Sequence, residues 1–415
     1  MEIKRDYYLN KLIEREANGL IKVITGIRRC GKSYLLNNIF YNYLLSKGVK
    51  ESHIIEVALD DIENENLLNP KELNKYVKSK IVDEKMHYIL LDEIQMVDNF
   101  VSVLNGFLRI TNVDTYVTGS NSKFLSSDIV TEFRGRGDEI RVYPLSFSEF
   151  NSVYEDKASA WNDYYTYGGL PLILLQNSDE AKMDYLISQA KNVYLNDVIE
   201  RNNVQNKEEL ASLVEIISSS IGSLTNPTKL SNTFKSKMNS SITDKTIRNY
   251  LDYLEEAFLI EKSNRYDVKG KKYIDTPLKY YFTDVGIRNS LLNFRQQEEN
   301  HIMENIIYIE LRRRGFSVDV GVVEVREKSG ADTTSRKQLE IDFIANKGNN
   351  KIYIQSALHV PTKEKAEQEQ RSLLKVNDSF KKMIIVKDDI KRKRDENGII
   401  TMGVFDFLLD FNCLD

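Results

Sequence analysis

The sequence predicts an α/β chain in three successive regions. These are a mostly parallel sheet over residues 1–150, a helical middle over 151–295, and a second α/β region over 296–415. Three observations carry this. Short apolar, β-branched runs alternate with helical patterns in the first third, helical spacing dominates the middle, and a helix, strands, a helix and a strand close the chain. At 415 residues, 41% hydrophobic and 29% charged, the chain exceeds the ~150 residues of one ordinary domain and can bury more than one core.

The first region reads element by element. Ile21 to Thr25, His53 to Leu59, Tyr88 to Leu91, Thr115 to Gly119 and Ile140 to Leu145 are the strand-like runs. Ser33 to Leu45 and Pro70 to Ile81 carry helical spacing between them, which implies βαβ crossovers and a parallel sheet. In the middle, Thr228 to Lys237 and Thr243 to Ile260 read as two helices. The second places Ile247, Tyr250, Leu251, Leu254 and Phe258 on one stripe. A ribbon of two short strands around Lys269-Gly270-Lys271 follows. The last region opens with a helix from His301 to Arg314 and continues with the strands QLEIDFIAN and KIYIQSAL. A charged helix from Thr362 to Val376 and the strand Lys381 to Val386 complete it.

Composition narrows the function classes. Lys+Arg 58 against Asp+Glu 62 gives a formal charge of -4, which excludes a globally basic nucleic-acid coat but not a local basic patch. Two cysteines, Cys30 and Cys413, supply neither a disulfide framework nor a Cys-rich zinc site. The charged N-terminus and the lack of any long apolar run predict a reduced, cytoplasmic chain with no membrane contact. The four histidines, His53, His87, His301 and His359, follow no metal-binding spacing, so packed or surface roles are expected of them. Lys391-Arg392-Lys393-Arg394 reads as a solvated loop between strands.

The chemistry is sharpest at Gly26-Ile27-Arg28-Arg29-Cys30-Gly31-Lys32-Ser33, with Tyr34 next. A strand runs into this G-x-x-x-x-G-K-S pattern and a helix leaves it. The glycines permit a loop whose N–H groups wrap phosphates, and the helix N-terminus adds its positive dipole end. Lys32 reaches the β- and γ-phosphates, and the Ser33 hydroxyl ligates Mg²⁺. Tyr88-Ile89-Leu90-Leu91-Asp92-Glu93 is a hydrophobic strand ending in two acids. It offers Asp92 to the Mg²⁺ shell and Glu93 to polarise the attacking water. Ser120 and Asn121, after the next strand, are candidates for contact with the γ-phosphate or that water; a plain Gly/Ser/Asn turn is the alternative. Arg134 and Arg136 are candidates for an arginine finger, acting in cis or across a subunit interface.

GIRRCGKS, YILLDEIQ, VTGSNS and FRGRGDEIRVYPLSFSEF resemble the prokaryotic AAA-superfamily P-loop ATPases. GGLP (Gly168 to Pro171), YLNDVIER and LEIDF are similar to later motifs of that family. The resemblance implies an AAA-type five-stranded sheet with a helical lid, and ATP with Mg²⁺ as ligands. The helix, turn, helix and ribbon of the middle resemble a winged helix, with Lys245, Arg248, Asn249, Lys269, Lys271 and Lys272 available to DNA phosphates. The last region resembles the restriction-endonuclease-like fold. Its acids would be Glu304 and Asp342, with Gln355 at the usual acid position, whereas Ala357 occupies the lysine position. That departure implies a degenerate nuclease fold that binds nucleic acid or protein. The expected activity is Mg-dependent ATP hydrolysis coupled to rearrangement of the C-terminal modules. The alternatives are a slow ATP-dependent switch, in a homo-oligomer or alone, and an ATP-powered nuclease.

Overall fold

The protein, seen as a computed structural model, is described over residues 3–119, 135–328 and 334–414. It divides into two compact units. The first comprises residues up to Pro144 with Leu170–Leu172 and Glu256–Phe258; the second holds the remainder. Among the described residues, no helix is long and apolar enough to cross a membrane.

The first unit is a five-stranded sheet of β1 (Ile21–Thr25), β2 (Ile54–Ala58), β3 (His87–Asp92), β4 (Val113–Gly119) and β5 (Gly137–Arg141). Its order is β2-β3-β4-β1-β5, and every pairing is parallel. Every residue of β1 is buried because it lies between β4 and β5. One charge sits in this central strand: Lys22 pairs with Asp114 on β4, whose other oxygen accepts the Tyr116 hydroxyl at 2.9 Å. Such a charge is tolerated only because it is paired and hydrogen-bonded. Leu73 and Val77 pack one face of the sheet from the helix Pro70–Lys80, as do Val101, Leu104 and Phe107 from Phe100–Phe107. Proline at the first turn and the Asn69 side chain, accepting Lys71 N–H at 2.9 Å, start the first of these helices.

Two elements depart from the sequence expectation. The helix after the phosphate loop is α-helical at Lys32–Tyr34 and Tyr41–Ser46 but π-helical at Leu35–Phe40. The wider turn keeps Leu35, Leu36, Phe40 and Leu44 all buried. β5 begins at Gly137, three residues before the apolar run at Ile140, because backbone pairing to β1 starts at Ile21 opposite Gly137. Hydrophobicity marked only the buried end of that strand.

The second unit begins with helices, including Lys157–Tyr167, Asp179–Ser188, Lys207–Ser219, Pro227–Met238 and Asp244–Glu256. Then come β6 (Ile260–Asp267), β7 (Lys272–Phe282), the helix Glu299–Arg313, β8 (Ser317–Lys328), β9 (Thr334–Lys347) and β10 (Asn350–Ala357). The helix Lys363–Leu374, β11 (Lys381–Val386), β12 (Lys393–Arg394) and β13 (Ile400–Gly403) follow. All eight strands form one sheet, ordered β12-β13-β11-β10-β9-β8-β6-β7. The ribbon expected as a wing is therefore the sheet's edge: β6 pairs with β7 antiparallel and with β8 parallel, Arg265 opposite Val320. The expected boundary at 295/296 therefore falls between strands of one sheet, with β6 and β7 before it and β8 to β13 after it. The basic run at 391–394 is likewise no plain loop, because Lys393 and Arg394 pair with Thr401 and Ile400.

Candidate functional site

The loop after β1 is shaped by its glycines. Gly26 has φ +144°, and a Cβ there would collide with the Val142 carbonyl oxygen. Gly31 has φ +98° and sits immediately before the helix that opens at Lys32. Arg28 and Arg29 are exposed, Ile27 and Cys30 are fully buried, and Tyr34 is largely exposed. Cys30 donates its thiol to Val142 O at 3.5 Å, which makes it a packed filler. Beneath the loop lies a residue the sequence reading passed over. Buried Arg5 donates to Cys30 O at 3.0 Å and to Tyr143 O at 2.8 Å, with its guanidinium 4.6 Å from the Tyr8 ring centre. Its only signal in the sequence was a charge just before an amphipathic helix.

Lys32 is buried, and its ammonium donates to Gly26 O at 3.1 Å and Ile27 O at 3.2 Å. These neutral acceptors hold the side chain across the loop without cancelling its charge. β3 delivers Asp92 to the same end of the sheet, where the carboxylate accepts the Thr118 hydroxyl and faces Ser33. Burial raises the Asp92 pKa; the Thr118 and Ser33 hydrogen bonds oppose the shift, while Glu93 and Asp60 add to it. A carboxyl under that pressure is stabilised by a nearby cation. Adjacent hard oxygens on Ser33 and Asp92 fit Mg²⁺.

Glu93 follows in the left-handed region, φ 53°, a conformation that is costly for a non-glycine residue and clusters at functional sites. Its backbone N–H donates to Thr118 Oγ1 at 2.9 Å, and its carboxylate accepts from the Gln95 amide. One threonine hydroxyl thus ties the two acids together. The sequence reading quoted Thr118 but favoured Ser120 and Asn121, which lie outside the described residues, as does Arg134. Thr118 is the last fully buried side chain before the Gly119 that ends β4, which is the signal that finds it.

Arg136 lies away from the phosphate loop of its own chain. It precedes β5, and its carbonyl accepts Ile21 N–H at 2.9 Å at the start of β1. Its guanidinium bonds Asn105 Oδ1 at 3.2 Å. The phosphate loop leaves the opposite end of β1, roughly 15 to 20 Å away at ~3.3 Å per strand residue. Parallel pairing thus puts Arg136 at the opposite end of the sheet from the phosphate loop of its own chain.

The second unit assembles its own cluster. Glu304, Asp342 and Lys279 are all under 9% exposed. Lys279 of β7 donates to Glu304 Oε1 at 3.0 Å and to Glu340 Oε1 at 2.8 Å, and Tyr281 donates to Glu304 Oε1 at 2.7 Å. Burial pushes the Lys279 pKa down, but Glu304, Asp342 and Glu340 together outweigh it and the net shift is upward. Burial, then Glu304, holds the Asp342 carboxyl well above its usual range, against Lys279 and the Ser356 N–H that donates to it at 2.8 Å. The Gln355 amide oxygen instead accepts the Ser372 hydroxyl at 3.4 Å, on the helix Lys363–Leu374. The lysine that meets these acids is Lys279, 78 positions before Ala357 in the chain and beyond any local motif.

GGLP acquires a structural role. Burial raises the Asp284 pKa to about 6, opposed by N–H groups of Gly169, Ile287 and Gly286. Cβ atoms at Gly168 and Gly286 would strike Asp284 and the Tyr167 carbonyl respectively, so this motif is a close-packed helix cap. Lys245, Arg248, Asn249, Lys269, Lys271 and Lys272 are all exposed, with Lys269 donating to Glu324 O at 2.8 Å.

Residues 18–151 match the AAA domain family, and residues 158–298 match a domain of unknown function (DUF8612). An uncharacterized protein of Haemophilus influenzae is 33% identical over 98% of this chain and 98% of its own length. The uncharacterized protein MJ1544 of Methanocaldococcus jannaschii is 31% identical over 81% of this chain and 74% of its own. Among solved structures, the Aeropyrum pernix ORC1 protein in complex with DNA is 14% identical over 70% of this chain and 92% of its own, with a TM-score of 0.31. The S. cerevisiae Hsp104–ADP complex is 13% identical over 76% and 42%, with a TM-score of 0.29. Scores this low describe no shared overall arrangement. The parallel sheet and its loop are those of an AAA-type P-loop NTPase domain.

Proposed function

Since the chain belongs to the family of its Haemophilus influenzae and Methanocaldococcus jannaschii relatives, with an AAA domain at the N-terminus, we propose that it binds and hydrolyses ATP with Mg²⁺. In this reading hydrolysis drives rearrangement of a C-terminal nucleic-acid- or protein-binding module. The carrying observation is the linked set Lys32, Ser33, Asp92, Thr118 and Glu93 at one end of the sheet. Lys32 meets the β- and γ-phosphates, and the loop N–H groups from Gly26 to Ser33 wrap them. Ser33 and Asp92 would hold Mg²⁺, which supplies charge neutralisation when bound. Glu93 accepts the proton of the attacking water, and Thr118 sets the angle between the two acids.

The test is Glu93→Gln. ATP affinity should stay within about threefold, while Mg-dependent phosphate release falls by ~10²–10⁴. Unchanged release would remove Glu93 from this role.

The slow-switch reading is favoured by the place of Arg136. With that arginine at the opposite end of the sheet, it would act as a finger only in trans from a second copy, and an isolated chain would turn over little. Specific phosphate release should then rise with protein concentration; a flat profile removes the trans arginine. The C-terminal module fits a binder of restriction-endonuclease-like fold better than a cutter, because Lys279 is already neutralised by Glu304 and Glu340. Its DNA contacts would be Lys245, Arg248, Asn249 and the ribbon lysines Lys269, Lys271 and Lys272.

A further inference from the structure

Histidines that look scattered in the sequence converge at the edge of the first sheet opposite Asp92. His53 immediately precedes β2 and His87 opens β3. Because those strands pair parallel with Ile54 opposite Tyr88, the two imidazoles fall side by side with ring centres 4.6 Å apart. Asp83 joins them from the segment between the helix Pro70–Lys80 and β3. Asn112 pins that segment by donating to Asp83 O at 2.9 Å and Lys85 O at 3.1 Å. The ligand atoms of His53, Asp83 and His87 all lie within 4.8 Å of one another. Both histidines are buried and Asp83 is exposed, so the group has a dry wall and an open mouth.

The hydrogen bonds already orient it. His87 Nδ1 is 2.8 Å from Lys85 O, and a carbonyl only accepts, so the ring hydrogen sits on Nδ1 and the lone pair on Nε2. A backbone carbonyl gripping the far nitrogen is how metal-ligating histidines are fixed. Nε2 accepts Val82 N–H at 3.2 Å, a long bond to give up. His53 Nε2 lies 3.0 Å from each Asp83 oxygen, so one cation between them would touch both.

We propose that His53 Nε2, His87 Nε2 and an Asp83 carboxylate oxygen form a binding site for a divalent transition-metal ion of the zinc class, with water as fourth ligand. Two imidazoles and one carboxylate suit zinc, cobalt or nickel, whereas Mg²⁺ and Ca²⁺ take oxygen donors. If His53 Nε2 carries a hydrogen toward Asp83, metal entry displaces it as a proton to buffer. The ion would clamp the segment before β3 to β2, at the end of β3 away from the nucleotide residues. The site stands independently of the ATPase reading.

The test uses the full chain, stripped with chelator and titrated with Zn²⁺ by calorimetry and with Co²⁺ by visible absorption at pH 7.5. One ion per chain should bind, with the intense visible band of four-coordinate cobalt, and a hundredfold excess of Mg²⁺ should not displace it. His53→Gln and His87→Gln should each weaken binding by ~100-fold or more. Asp83→Asn, at an exposed position, keeps an oxygen to accept the Lys85 N–H and should weaken it by at least ~10-fold. No stoichiometric binding to the wild type would overturn the proposal, leaving a packed histidine pair with an ion-paired aspartate. Binding undiminished in the His53→Gln/His87→Gln double variant, or in Asp83→Asn, would overturn it equally.

Discussion

Lys32 in the first unit and Lys279 in the second are both buried lysines close to acids, and they do opposite things. Lys32 and Lys279 are 4% and 3% exposed. Lys32 donates to two backbone carbonyls of its own loop, whereas Lys279 donates to two carboxylates. Carbonyl dipoles steady an ammonium and leave its full charge for an arriving phosphate. Carboxylates cancel that charge in place. Residue type and burial do not therefore distinguish a phosphate site from a closed ionic cluster. The net charge of the partners does.

The largest effect expected from this contrast is Lys32→Ala. It should weaken binding of a fluorescent ATP analogue at least ~100-fold, because a desolvated charged hydrogen bond to phosphate is lost. The unfolding free energy should shift by no more than ~1 kcal/mol, since only two neutral acceptors lose a donor. An unchanged affinity would break the comparison at its first term.

Lys279→Met should behave in reverse. Removing one partner of a buried ion pair costs ~3–5 kcal/mol, here because Glu304 would be left buried and uncompensated. ATP binding should be untouched. Lys279→Met combined with Glu304→Gln should recover a large part of the loss, since the uncompensated charge goes too. Denaturant unfolding measures both. A double variant as unstable as the single one would mean that packing, rather than charge, makes Lys279 matter.

Much of the first site was legible because its chemistry is local. Gly26 to Ser33 is contiguous, and Asp92 and Glu93 end a strand whose apolar run is unmistakable. Thr118 was within reach for the same reason. The place of Arg136 was not legible because register decided it: the apolar signal started at Ile140, while pairing to Ile21 starts the strand at Gly137. Lys279 with Glu304 and Asp342, and His53 with the Asp83–His87 pair, are meetings across long chain separations. No period or spacing in the sequence encodes them. The ribbon of β6 and β7 was recognisable as a ribbon, but its edge bonds to β8 were not, since an exposed edge and a free wing have the same local pattern.

The smallest expected effect is the finest probe of the contrast. With one ammonium among Glu304, Glu340 and Asp342, charge balance leaves Asp342 short of a cation, and burial with Glu304 raises its pKa well above the ordinary carboxylate value. A folded-state pKa raised in this way gives stability that is full below the unfolded pKa and is lost as pH rises through the folded one. Asp342→Asn imitates the protonated acid: its carbonyl can accept the Ser356 N–H and its amide can face Glu304. The variant should lie within ~1 kcal/mol of wild type near neutrality. It should also lose less stability than wild type between acid and neutral pH, in urea unfolding at matched ionic strength. Suppose instead that Mg²⁺ stabilises the wild type and Asp342→Asn abolishes that gain. Asp342 would then be holding a cation, the cluster would be open like the phosphate site, and the distinction between the two lysines would fail.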